Sequence, residues 1–345
     1  MRLIQIMASR QRGGAETFFA RLCVAMARTP LPQTQIHQTI VVRRGAACRD
    51  DLRAGGLSAI EMPFLFNGDP LTRGRLKRLF AGTAPDVVLS WMSRAASTCP
   101  RGRFAHVGRL GGYYHLKYYA GCDHLIANTQ DIVDYVVGTG WPRDRVHYLP
   151  NFVDERPAPA IDRASLATPA DAPVVLALGR LHSDKAFDVL LAAIAELPRV
   201  HLWLAGEGPL EAALKRLAHK LGVAGRVHFL GWRSDVTALL GAADCLACPS
   251  RIEPLGNVIL EAWVNRRPVV AAASKGPRGL VISGETGLLV PLEDAAALTG
   301  ALRRVLSDKA LAADLASRGR AEYDARFSQA AVTGRYVEFL TKVAA

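Results

Sequence analysis

Short apolar runs of strand length alternate with longer segments of helical periodicity along the whole chain, and no other feature of the sequence restricts the fold as strongly. Strands that recur only after a helix-sized interval pair through βαβ crossovers, which predicts parallel sheets. In the first half the runs fall at Arg2–Met7, Gln35–Val42, Ser58–Met62, Asp86–Trp91, Phe104–Arg109, Asp123–Ala127 and Arg145–Leu149. In the second half they fall at Pro173–Leu178, Val200–Ala205, Arg226–Leu230, Asp244–Ala247 and Pro268–Ala272. Between the two sets, the stretch from Pro150 to Ala172 carries Pro150, Pro157, Pro159 and Pro169 without sustained periodicity, the character of a linker. The pattern predicts an α/β chain of two doubly wound, Rossmann-like domains, 1–150 and 151–327. A last helix at about 328–345 places Val332, Tyr336, Phe339 and Leu340 on one stripe, and since it follows a complete second sheet the stripe needs another partner.

Composition supports this division and narrows the partners. With 345 residues, 50% of them hydrophobic, the chain has apolar material for two cores. No window reaches the roughly 18 apolar residues of a membrane span, and the start MRLIQIMAS lacks a signal-peptide pattern, so a cytoplasmic location is expected. Six cysteines make neither a disulfide framework nor a zinc site. Cys245 and Cys248 sit three apart on one strand, point to opposite faces and read as core. The formal charge of +12 is uneven: residues 1–150 hold 20 Lys/Arg against 10 Asp/Glu, whereas residues 151–345 hold 23 against 21. A basic first half favours an anionic membrane surface or a polyanionic substrate, and nucleic acid is not expected. The segment Leu71–Phe80 sharpens the membrane expectation. Read as a helix, it gathers Leu76, Leu79 and Phe80 on one face with Arg73, Arg75, Lys77 and Arg78 around it. An ordinary solvated helix packing its leucines on the first sheet fits the same letters.

Three strand-end loops carry chemistry. The first βα turn, Arg12-Gly13-Gly14-Ala15-Glu16, lets a ligand approach the backbone at a helix start, although it lacks the G-x-G-x-x-G of dinucleotide sites and a plain glycine turn stays open. After the strand at Pro173–Leu178 come Gly179, Arg180 and Lys185. Arg can grip two phosphate oxygens as a fork and Lys adds a mobile point charge, so the pair suits a diphosphate; two solvated cations is the alternative. The third loop runs Glu253-Pro254-Leu255-Gly256-Asn257-Val258 into a helix bearing Glu261. Its backbone amides can face a phosphate or hydroxyl, and each carboxylate can accept from vicinal hydroxyls or serve as an ordinary helix-start charge. Convergence of such loops at the carboxyl ends of parallel strands points to one ligand with phosphate and hydroxyl groups. No paired aspartates stand at a strand end to hold a metal, so a metal-independent site is expected.

At this point the chain resembles glycosyltransferase family 4 over nearly its whole length. The resemblance rests on Gly13-Gly14-Ala15-Glu16, Leu149-Pro150-Asn151-Phe152-Val153-Asp154, Gly179-Arg180 with Lys185, Gly206-Glu207-Gly208-Pro209, and Glu253 with Glu261. It implies a GT-B fold, two doubly wound domains facing a cleft, with an acceptor in the first and a nucleotide-diphosphate sugar in the second. It also implies a retaining transfer without cofactor or essential metal, with a UDP-sugar as the favoured donor. By position, Arg180 and Lys185 would bind the diphosphate, Glu261 the ribose and Glu253 the sugar. Gly179, Leu255 and the amides at Gly256, Asn257 and Val258 would complete the donor site, with Gly14 closing from the other domain. The last helix would cross back onto the first domain. Many members carry a His where this chain reads Leu110-Gly111, which leaves Arg109 and His115 as the acceptor-side candidates, Arg109 the better for an anion. The expected acceptor is a bacterial envelope saccharide or glycolipid such as a lipopolysaccharide core, reached at the inner face of the membrane. A noncatalytic GT-B nucleotide- or polyanion-binding module and a GT-B epimerase or phosphorylase are the competing readings.

Overall fold

The computed structural model describes residues 1–28 and 35–345. The chain divides into two units, Met1–Phe152 with Gln329–Ala345, and Val153–Ser328. The first is built on strands β1 (Arg2–Met7), β2 (His37–Arg43), β3 (Ile60–Met62), β4 (Val87–Trp91), β5 (Ala105–Leu110), β6 (His124–Ala127) and β7 (Val146–Tyr148). They form one sheet in the order β3-β2-β1-β4-β5-β6-β7, and every pairing in it is parallel. All seven expected strands of this half are present, their starts shifted by at most two residues.

Helices α1 (Gly14–Arg28), α2 (Cys48–Ala54), α3 (Pro70–Thr83), α4 (Met92–Thr98) and α5 (Gln130–Gly138) cover this sheet. Alternation along β1 assigns the faces. Leu3 and Met7 join Phe18, Phe19 and Leu22 of α1, while Ile4 and Ile6 join Val41, Val88, and Leu76 and Phe80 of α3. The start of α3 is set by sequence: Asp69 accepts from the Leu71 amide at 3.0 Å, and Pro70 takes the first turn, where its missing N–H is no loss.

Unit 2 repeats the plan with β8 (Val174–Leu178), β9 (His201–Ala205), β10 (Val227–Gly231), β11 (Cys245–Cys248), β12 (Val269–Ala272) and β13 (Leu288–Val290). The order is β10-β9-β8-β11-β12-β13, again parallel throughout. Strand β13 was not expected; three residues on a sheet edge are too short to display a period. Helices α6 (Phe187–Ala195), α7 (Glu211–Lys220), α8 (Val236–Ala242), α9 (Asn257–Val264), α10 (Lys275–Leu280), α11 (Ala295–Ser307) and α12 (Lys309–Arg326) flank it. Cys245 and Cys248 belong to the cores on opposite faces of the sheet, both thiols buried and free, as their spacing predicts. The expected linker is largely structured: Arg163 donates to Ala242 O at 2.9 Å and to Asp244, and the Ile161 amide donates to Ala238 O, so this stretch packs on unit 2.

Helix α13 (Gln329–Ala344) belongs to unit 1. It buries Val332, Tyr336, Val337 and Leu340 in the cluster that holds Phe18 and Trp91, while Phe339 is half-buried and packs 4.4 Å from the His147 ring. No helix among the described residues is long and apolar enough to cross a membrane.

Candidate functional site

The carboxyl end of β8 opens through Gly179, whose φ of +147° is a conformation that L side chains rarely adopt. The stem of Lys185 passes over it, and a Cβ there would stand 3.3 Å from Lys185 Cε. Gly206, at the end of β9, is pressed so close that an added Cβ would lie 1.9 Å from Gly179 O. These two glycines are therefore required by contact between two strand-end loops.

Lys185 meets the loop after β11 directly. Its Nζ lies 2.5 Å from Glu253 Oε2, and the Gly256 amide donates to Glu253 Oε1 at 3.2 Å. The two side chains are only 21% and 12% exposed, so the charges depend on each other for solvation. Burial opposes the ammonium, and the carboxylate outweighs it, holding the Lys185 pKa above its ordinary value. Gly256 adopts φ +91° and caps α9, with Leu255 buried behind it and Asn257 and Val258 opening the helix half-buried. Glu261 is the fifth residue of α9 and also half-buried. The loop after β12 adds a strut: the Gly276 amide donates to Glu253 O at 2.8 Å, where a Cβ would stand 2.5 Å away. In the same loop the Ser274 hydroxyl is buried without a partner.

Arg180, next along the chain from Gly179, is exposed and makes no side-chain hydrogen bond among the described residues. Arg251, given no role by the sequence reading, holds the loop in place. It forks onto Asp188 at 2.9 and 2.7 Å, reaches Glu293 at 3.0 Å and donates to Ser183 O. Its partners lie 63 and 42 residues away, so only its position in a strand-end loop could have marked it. The structure thus brings Gly179, Lys185, Glu253 and Gly256 together, with a cation free at the rim.

In unit 1, Gly14 is exposed at the first residue of α1. His115 is exposed ahead of a short turn and its side chain caps nothing. Arg109 requires a correction. It is 1% exposed, its Nε donates to Tyr336 Oη at 2.9 Å, an Nη donates to Asn151, and the guanidinium lies 4.5 and 4.9 Å from the rings of Trp91 and Phe18. A guanidinium spent on α13 and an aromatic core offers no surface to an anionic acceptor. For the basic helix the apolar half follows the second of the two readings: Leu76 and Phe80 of α3 pack on the sheet.

The chain matches the family model Glycosyltransferase Family 4 over residues 12–156 and the model Glycosyl transferases group 1 over residues 160–322. It is 38% identical over 333 residues to the lipopolysaccharide core biosynthesis glycosyltransferase LpsE of Rhizobium meliloti, a match covering 95% of this chain and 96% of that protein. The chain belongs to glycosyltransferase family 4. This family 4 glycosyltransferase is also 35% identical to LpsD of the same organism, another lipopolysaccharide core biosynthesis glycosyltransferase, over 96% of its length and 95% of LpsD. Its GT-B fold matches the crystal structure of Anabaena Alr3699/HepE in complex with UDP and glucose, with a TM-score of 0.86, 22% identity, and coverage of 99% of this chain and 100% of that one. In this glycosyltransferase the residues of the family resemblance after β8 and around α9 are those of the interlocked loops.

Proposed function

We propose that this glycosyltransferase is a retaining enzyme that moves a sugar from a nucleotide diphosphate, held by unit 2, to a bacterial envelope saccharide held by unit 1. The Lys185–Glu253 pair, set among glycine loops beside the exposed Arg180, carries the reading. As the glycosidic bond to phosphate breaks, negative charge accumulates on the departing diphosphate. Arg180 and Lys185 neutralise it, and a pair oriented before reaction costs little reorganisation. Catalysis then needs no divalent metal. Glu253, with acceptor capacity left on both oxygens, aligns Lys185 and takes a sugar hydroxyl, while Glu261 takes the ribose. The amides at Gly256, Asn257 and Val258 serve the sugar phosphate. UDP is the favoured nucleotide, as in the complex of the Anabaena protein, and a lipopolysaccharide core is the favoured acceptor class, as for the core biosynthesis glycosyltransferases LpsE and LpsD.

Calorimetric titration with UDP and other nucleoside diphosphates tests the donor half: saturable binding that falls at least tenfold in Arg180→Ala is expected, and no binding of any nucleotide would sink it. Glu261→Gln should weaken free UDP more than Glu253→Gln does. Nucleotide release in the absence of acceptor, or a requirement for inorganic phosphate, would favour the epimerase or phosphorylase reading. No nucleotide release from a sugar nucleotide, with acceptor or without it, by a protein that binds UDP would favour the noncatalytic module.

A peripheral site on an anionic membrane is the second part of the proposal. Arg75, Lys77 and Arg78 are exposed on α3, and Leu65, Phe66 and Leu71 are 55%, 55% and 51% exposed just before it and at its start. Each cation near the surface contributes about 1 kcal/mol at most, so binding should be reversible and salt-sensitive. Sedimentation with phosphatidylglycerol vesicles at low salt should retain the protein and lose it when the three cations become Ser; retention by neutral vesicles alone would contradict this.

A further inference from the structure

Unit 1 carries a second set of cations that the donor chemistry does not use. The sheet order reverses at β1, which lies between β2 and β4, and at the last paired row Met7 stands beside both Val42 and Trp91. Immediately beyond that row each of the three strands delivers an arginine: Arg43 ends β2, Arg10 follows β1, and Arg94 lies in the first turn of α4. Strand parity puts Arg43 on the same face as Val41, the face covered by Ala95 of α4 and by Cys99 just after it. The chain enters α4 through Met92 at φ +65°, a costly turn for a residue with a side chain.

None of the three is paired with a carboxylate among the described residues. Of the nearby acids, Asp51 pairs with Arg12 and Glu61 with Arg49, while Glu16 is buried in the first turn of α1. The Nε atoms of Arg43 and Arg94 are both buried without a hydrogen-bond partner, while Arg10 is exposed and donates its Nε to Arg44 O at 3.0 Å. Burial lowers the pKa of Arg43, and the neighbouring charges of Arg94 and Arg10 lower it further. Two buried, idle Nε donors and a guanidinium repelled by two neighbours are destabilising by themselves, and an oxyanion with several acceptor oxygens removes both costs. Ligands of open parallel sheets also bind outside the carboxyl ends at such a reversal point.

We propose that Arg10, Arg43 and Arg94 form an anion subsite for a phosphate monoester on the acceptor saccharide. The assignment rests on the reading of unit 1 as the acceptor unit, and it names the acceptor's chemical class. A phosphate monoester matches the three cations with nearly two negative charges and three terminal oxygens. Guanidinium forks, which lysine lacks, fit those oxygens.

The test is calorimetric titration of the full chain with glucose 6-phosphate, and separately with UDP. Glucose 6-phosphate should bind the wild type and the Arg180→Ser/Lys185→Ser variant equally. Arg43→Ser and Arg94→Ser should weaken it at least tenfold, Arg43→Lys by less, and none of these three should change UDP affinity. Equal melting temperatures, or the Arg43→Lys result where serine disturbs folding, separate binding from stability. Binding lost in Arg180→Ser/Lys185→Ser but kept in the Arg43 and Arg94 variants would overturn the subsite and leave the donor reading intact. Failure of UDP to bind the wild type would sink the donor reading without touching the arginine comparison. Displacement of glucose 6-phosphate by phosphatidylglycerol vesicles would overturn the saccharide assignment in favour of a lipid headgroup, and equal affinity for acetate would overturn the phosphate assignment.

Discussion

The two units share one architecture, a parallel sheet whose order reverses beside its first strand, yet they equip the carboxyl ends of those sheets in opposite ways. In unit 2 two cations at that end have carboxylates: Lys185 sits on Glu253, and Arg251 on Asp188 and Glu293. Unit 1 places Arg109 in the core with neutral partners and leaves Arg10, Arg43 and Arg94 without acids. Paired charges are fixed before a ligand arrives, which suits stabilising a transient charge. Unpaired cations instead create a standing attraction for a stable anion. The lesson is that net charge locates only one of the two kinds of site. The region with 23 Lys/Arg against 21 Asp/Glu holds the denser ionic network, and a charge count passes over it.

Lys185→Ala gives the largest expected effect. It should lower kcat/KM by about 2–4 kcal/mol of transition-state stabilisation, and a double-mutant cycle with Glu253→Ala should show coupling above about 1 kcal/mol. Independent effects would show that the pair is not a functional unit. The same pair makes a pH prediction. A lysine pKa raised in the folded state contributes stability that is whole below the ordinary value of 10.5 and is lost as pH rises through the folded value. Chemical denaturation at increasing pH should therefore show an alkaline loss that sets in only above 10.5 in the wild type and is smaller in Lys185→Met.

Next in size is Arg109→Met in unit 1. Removing a buried donor leaves Tyr336 and Asn151 with unmet hydrogen bonds and deletes two ring contacts, so stability should fall by about 2–3 kcal/mol in urea titration. The KM for acceptor should not move; a raised KM with normal stability would return Arg109 to the acceptor site.

Arg251→Ala should cost less, about 1–2 kcal/mol, since Asp188 and Glu293 are largely solvated and lose only part of their hydrogen bonding. Its effect should appear mainly as a raised donor KM, because Ser183 and the loop carrying Glu253 lose a common anchor. A lowered kcat with unchanged KM would mean that Arg251 acts on the chemistry itself.

Local pattern determined a large part of this protein. Strand positions follow from short apolar runs, the opposite burial of Cys245 and Cys248 follows from the two-residue period, and the start of α3 follows from Asp69-Pro70, because each is settled within a few residues along the chain. The loops after β8 and β11 were legible for the same reason, their glycines, cations and carboxylates standing at strand ends. Tertiary structure alone decided which charges meet. Lys185 and Glu253 are 68 residues apart, Arg251 and Asp188 are 63 apart, and Tyr336 reaches Arg109 across 227 residues. The same holds for α3, whose leucines carry one pattern for a membrane and for a sheet until β1, β2 and β4 stand beneath them. Burial and ion pairing depend on neighbours that the topology supplies, and no local spacing encodes a neighbour brought from another strand.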